Sequence, residues 1–170
     1  MTRLRAVTQA DVAVLERQHA SPEEAGAMSW YGYRQPGSVQ RRLDNNETIT
    51  ADRGMLVVVD DDDRAVGDVS WLRISHGPPP NGDGWNVGIW LVPEHRGKGH
   101  GSAAQRLIAA YLFDTTQLER VEASTELDNI AEQRALEKAG FTREGVLRRA
   151  CFRGGQRRDM VMYSKLRGEE

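Results

Sequence analysis

The chain has 170 residues, with 23 Lys+Arg against 25 Asp+Glu, 39% hydrophobic residues and a single cysteine, Cys151. This length suits one domain over residues 1–170. The formal net charge of −2 gives no general electrostatic reason to bind nucleic acid or an anionic membrane. A lone cysteine excludes an internal disulfide and a thiol-based zinc cage, and no apolar run approaches the roughly 20 residues that span a bilayer. The expectation is a soluble cytoplasmic domain. Twenty of the basic residues are Arg and three are Lys. That bias is read either as the composition of a GC-rich genome or as selection for anionic ligands, which Arg grips bidentately.

In chain order, Leu4–Val7 is a short apolar stretch. Thr8-Gln9-Ala10-Asp11 opens a helix that continues through Val12, Leu15 and His19. Residues 21–37 read as irregular, punctuated by Gly and Pro, with the aromatic cluster Trp30, Tyr31 and Tyr33. A short helix is predicted over 38–45 and a buried strand over 55–59. Four aspartates, Asp60 to Asp63, form a solvated turn, and Ala65 to Ile74 alternates as the hairpin partner. An exposed loop follows at 76–84, then a strand from Trp85 to Val92, a helix over 99–113 and a strand at 121–124. A helix capped by Asp128 or Asn129 closes at Gly140, and a final hairpin turns across Gly154-Gly155. The order βααβββαβαββ describes an α/β (α+β) mixed sheet of about seven strands flanked by about four helices.

The most informative segment runs from Ile89 to Ser102, where a buried strand enters Arg96-Gly97-Lys98-Gly99-His100-Gly101-Ser102 and opens a helix. Glycines let backbone N–H groups face outward, and the helix start adds free donors and positive dipole. With Arg96 and Lys98 these form an anion cradle suited to a pyrophosphate. A purely structural turn competes with this reading. So does a dinucleotide fingerprint, Gly99-x-Gly101-x-x-Ala104 with Glu119 twenty residues on. The dinucleotide reading, an oxidoreductase, needs successive parallel βαβ units, and the strands before the motif read as hairpins. A Walker loop fails for want of Gly-Lys-Ser/Thr.

The segment closely resembles the acyl-CoA-binding motif of the GNAT (GCN5-related N-acetyltransferase) family, Arg/Gln-x-x-Gly-x-Gly/Ala, with Arg96, Gly99 and Gly101 at its fixed positions. The preceding Val-Gly-Ile-Trp-Leu-Val-Pro and the later run Asn129 to Phe141 are similar too. The ending from Gly145 through Tyr163 resembles the branch that acetylates ribosomal-protein N-termini. The resemblance covers about residues 54–167.

It implies a GNAT fold in which splayed parallel strands hold acyl-CoA, with acetyl-CoA as co-substrate and no metal. The implied coenzyme contacts are Leu91 and Val92 on the strand, Arg96, Gly97, Lys98, Gly99, His100, Gly101 and Ser102 on the cradle, and Asn129 at the head of the next helix. The branch often carries a Glu where this chain has Asn86 and a Ser where it has Glu132, so both usual catalytic positions depart from the pattern. Proton transfer is then assigned to Glu132, or to an acid such as Asp68 or Asp83, while Tyr163 matches the branch's terminal Tyr. The acceptor site is expected around Trp30, Tyr31, Tyr33 and Trp85. The implied activity is transfer of an acetyl group to a primary amine of a protein N-terminus, an antibiotic or aminosugar, or a metabolite. A catalytically silent acyl-CoA-binding module is the alternative. No nucleic-acid or membrane partner is expected, and the family resemblance suggests a bacterial homodimer.

Four histidines, His19, His76, His95 and His100, show no metal spacing. The Arg148–Arg158 cluster reads as a solvated hairpin.

Overall fold

The computed structural model describes residues 1–169. Its elements are β1 (Arg3–Arg5), α1 (Val12–Glu16) between single 3-10 turns at Gln9–Asp11 and Arg17–His19, α2 (Pro22–Ala25), α3 (Ser38–Asp44), β2 (Arg53–Val59), β3 (Ala65–Ser75), β4 (Asp83–Leu91), α4 (His100–Thr115), β5 (Arg120–Glu126), α5 (Ile130–Lys138), β6 (Thr142–Arg153) and β7 (Gln156–Leu166). The predicted order holds, with one addition. The stretch read as irregular contains α2, so five helices flank the sheet rather than four. Its start is local chemistry: the Ser21 hydroxyl accepts from the Glu24 N–H at 3.3 Å, and Pro22 occupies the first helical position.

Strand β2 shows how the layers form. Successive side chains of a strand point to opposite faces, so a run buried throughout demands cover on both. Met55, Val57 and Val59 pack with Leu15 and Val39 on the face of α1 and α3. Leu56 and Val58 join Ile108, Leu112, Leu136 and Phe141 on the face of α4 and α5. The sheet order is β1-β2-β3-β4-β5-β7-β6.

One junction positions the site. β4 and β5 are the parallel pair, in register only at Trp85↔Val121 and Asn86↔Glu122. Beyond Asn86, β4 stays paired with β3 as far as Gly67↔Leu91, and β5 stays paired with β7 as far as Glu126↔Met160. The two central strands therefore diverge into a wedge, and the main chain of Val87 to Leu91 has a free edge toward it.

Candidate active site

The wedge is a cavity of about 460 Å³ lined by Ile89, Trp90 and Leu91 of β4, by the turn into α4, by residues 25–29, and by one face of α5. Arg96, Gly97, Gly99, Gly101 and Ser102 line it, as does Asn129. Gly97 and Gly99 hold φ of +73° and +87°, a region that other residues enter at a cost. A Cβ built on either would meet no atom within 4 Å, so these glycines serve the backbone turn and the open space above it rather than tight packing. The free N–H groups of the 16-residue helix α4 start there. These features fit an acyl-CoA pyrophosphate.

Several cradle side chains do something other than what the sequence suggested. The Arg96 Nε donates to the Leu91 carbonyl at 2.9 Å, and its Nη2 donates to the carbonyls of Glu24 at 2.6 Å and Ala25 at 3.2 Å. Arg96 thus ties α2 across the mouth, and only part of its guanidinium faces the cavity. Val92 is buried, with its N–H on the Val66 carbonyl at 2.9 Å, and does not line the wedge. Lys98 and His100 turn instead toward Thr2 and Asp60, where His100 Nδ1 lies 3.0 Å from the Thr2 hydroxyl. The cations that the sequence reading missed are Arg134 and Lys138, which line the wedge from α5. Their signal was present: Ala131, Arg134, Ala135 and Lys138 recur at i, i+3, i+4 and i+7, placing two small and two cationic residues on one helix face.

Asn129 caps α5. Its Oδ1 accepts from the Glu132 N–H at 3.4 Å and its Nδ2 donates to Thr125 at 2.9 Å. Glu132 lies in the wedge with Gln105 as its hydrogen-bond donor. Burial pushes its carboxyl up to about 7, against the opposing pull of Gln105.

A second cavity of about 360 Å³ opens on the opposite side of β4, between Trp30, Tyr31, Arg34, Arg42 of α3, and Asp68 and Ser70 of β3. It shares Ser29 and Ile89 with the wedge, so the two meet at β4. The register row Met55↔Ser70↔Gly88 forms its floor. Asp68 is 3% exposed, and its Oδ1 has no hydrogen-bond partner among the described residues. Burial pushes its carboxyl up to about 7, while the Arg42 guanidinium pulls it down.

The remaining sequence assignments fall elsewhere. Trp85 is a core residue, 4% exposed, whose indole N–H donates to Thr116 at 3.1 Å on the α4 side; it lines neither cavity. Asn86 sits on the last rung before the strands diverge, below both cavities. Tyr163 is fully buried in the sheet, and its hydroxyl donates to Glu137 at 3.0 Å. Tyr33 is 82% exposed and packs edge-on against Trp30 at 5.1 Å, outside the cavity wall. Asp83 is held by Arg73 at 2.9 Å at the far end of β4. Of the histidines, His19 lines the second cavity and His76 bonds Glu122 at 2.9 Å.

The basic hairpin is only partly solvated. Arg153 grips the buried Glu126 through Nε and through Nη2 at 2.7 Å, and its Nη1 donates to the Ala27 carbonyl at 2.7 Å. It thereby fastens residues 25–29 over the wedge. Arg153→Met strands the Glu126 carboxylate without its cation and is expected to cost about 3 kcal/mol of folding stability, read by urea unfolding. Adding Glu126→Gln should recover part of that loss.

A family model, described as Acetyltransferase (GNAT) domain, matches residues 2–142. The chain belongs to the GNAT acetyltransferase family. A Bacillus subtilis relative named Probable N-acetyltransferase YjcK is 39% identical over 88 residues, which is 52% of this chain and 47% of that protein. The chain thus spans about half the length of the curated relatives it matches. Among solved structures, Vibrio cholerae spermidine N-acetyltransferase in complex with CoA and spermine superposes with a TM-score of 0.78 at 20% identity, over 99% of this chain and 96% of that one. Mycobacterium smegmatis RimJ in complex with CoA-disulfide gives 0.75 at 22% identity, over 98% and 82%. These two solved structures share their fold with this chain over 98–99% of its residues. No helix among the described residues is long and apolar enough to cross a membrane.

Proposed function

We propose that this chain is an acetyl-CoA-dependent N-acetyltransferase. The observation that carries the reading is the meeting of two cavities at Ile89, one with a pyrophosphate cradle and the other with an unpartnered buried carboxylate. Bound acetyl-CoA supplies an activated thioester. The cradle N–H groups, with Arg134 and Lys138, hold its phosphates. The free edge of β4 from Val87 to Leu91 takes its amide-bearing arm as an added strand would be taken, which brings the thioester to the junction with the second cavity. There Asp68 accepts the proton of the attacking amine, and a β4 N–H stabilises the oxyanion. Glu132, held partly protonated near neutral pH, returns a proton to the departing thiolate.

The exposed apolar residues Val146, Leu147 and Phe152 on the edge strand β6 support association of two copies. The departures at Asn86 and Glu132 favour a silent acyl-CoA-binding module; Asp68 restores the missing base and favours the enzyme. CoA-thiol release with an amine panel decides between them. Turnover supports the transferase, whereas acetyl-CoA binding with no turnover on any amine leaves the silent module. NADPH in place of acetyl-CoA should give no thermal shift.

Glu132→Gln is expected to lower kcat about tenfold and to abolish the decline of kcat above pH 7. An unchanged pH profile would assign Glu132 to the α5 helix start alone.

A further inference from the structure

Resting on the transferase reading, we infer that the acceptor is a small aminocarboxylate, a free amino acid whose amine meets Asp68 and whose carboxylate meets Arg42. Both residues line the second cavity. Asp68 Oδ1 and Arg42 Nη2 are enclosed without a hydrogen-bond partner among the described residues, and both residues line the same 360 Å³ space. The rest of the Arg42 guanidinium is tied to its own surroundings, Nε to the Glu47 carbonyl at 3.3 Å and Nη1 to the Met55 sulfur at 3.9 Å. Nη2 has no partner among the described residues.

A buried donor and a buried acceptor each cost free energy until satisfied, so a ligand carrying both complements recovers the cost at two points. The charge balance selects among amines. Asp68 is the one acidic wall residue, against Arg34 and Arg42, with His19 beside them. Burial and Arg34 hold His19 below its ordinary pKa, and burial lowers Arg42 despite the carboxylates near it. A polyamine would bring more cations to a wall that already has two. A peptide N-terminus would offer Arg42 only an amide carbonyl. A zwitterion pairs ammonium with carboxylate and carboxylate with guanidinium, so the enclosed charges cancel. The volume lies at the lower end of small-molecule sites.

The test uses the intact chain with acetyl-CoA. CoA release is measured for L-amino acids, their carboxamides, their decarboxylated amines, spermidine and short peptides. The expected result is that the best amino acid exceeds its own carboxamide and amine by roughly ten- to a hundredfold in kcat/KM. Arg42→Gln should shrink that ratio to about twofold or less, with the loss in KM for the carboxylate substrate. Equal rates for acid and amide, or faster peptides or spermidine, overturn the aminocarboxylate while the transferase stands. Acetyl-CoA binding with no turnover on any amine overturns both. Because the acid–amide comparison is made on the unaltered chain, it stands even if Arg42→Gln folds poorly.

Discussion

Asp68→Asn is expected to lower kcat by about 10²–10⁴-fold while acetyl-CoA affinity stays within about twofold, since it removes a general base and leaves the cradle untouched. The carboxyl is enclosed in the second cavity, raised by burial to about 7 and opposed by Arg42. Only its anion accepts a proton. kcat/KM should therefore rise with pH through about 7, and the variant should lose that limb. Arg42, Arg34, His19 and Tyr31 are the other ionisable wall groups of the cavity.

The same carboxyl makes a second prediction of opposite sign. Its folded pKa of about 7 lies above its ordinary value of 3.8, so between those values the folded chain holds a proton that the unfolded chain has released. Stability contributed by this group is full below about 4, falls as pH rises across that window, and is lowest above 7. The distance from 3.8 to about 7 sets a ceiling on the order of 4 kcal/mol for that cost. Asp68→Asn should accordingly raise Tm by several degrees at pH 8 and converge with the original chain near pH 4. A residue whose removal stabilises the fold and abolishes turnover is kept for chemistry. A variant that loses stability at every pH while keeping its activity would make Asp68 a structural residue instead.

The contrast between the two cavities explains what the sequence could reveal. The cradle is one contiguous segment, so its glycines and the helix it opens are visible in order. The β-branched run of β2, the alternation of β3 and the Gly140 closure of α5 are likewise local, and the order of elements along the chain followed from them. The second cavity instead draws on residues 18–42, β2, β3 and β4, which only long-range pairing brings together. No spacing links Arg42 to Asp68. Aromatic residues misled for a related reason: a Trp reads the same in sequence whether it plugs a core, as Trp85 of β4 does, or walls a pocket, as Trp30 of the loop after α2 does. The arginine excess also gains an explanation beyond composition. Arg17 spans Glu24 and Glu94 at 2.8–3.1 Å, Arg96 gathers three carbonyls, Arg153 fastens residues 25–29, and Arg167 caps the carbonyls of Phe113, Thr116 and Leu118. A planar fork with five donors suits such multi-point ties, and Lys does not. Three of these four ties surround the mouth of the wedge, so the bias serves the coenzyme site largely by holding its walls.

Gly99→Val is expected to abolish measurable acetyl-CoA binding at concentrations that saturate the original chain. Two effects must be separated. The φ of +87° strains any side chain, at about 1–2 kcal/mol, which the fold should survive. The new Cβ meets no atom within 4 Å, so packing does not resist it. It stands instead in the space where the α4 N–H groups would meet phosphate oxygens. Losing two such charge-assisted bonds, each about 1.5–3 kcal/mol, predicts a rise in Kd of roughly 10²–10⁴-fold. Gly155→Val is the matched control: φ is +76°, nothing lies within 4 Å, and the residue sits at the β6–β7 turn and lines neither cavity. It should show a similar fall in Tm and an undiminished stabilisation by acetyl-CoA. If both variants keep that stabilisation, the backbone of the Gly97–Gly101 turn does not bind the pyrophosphate. Affinity would then rest on the side chains of Arg134 and Lys138, and charge removal at those two positions would become the larger effect.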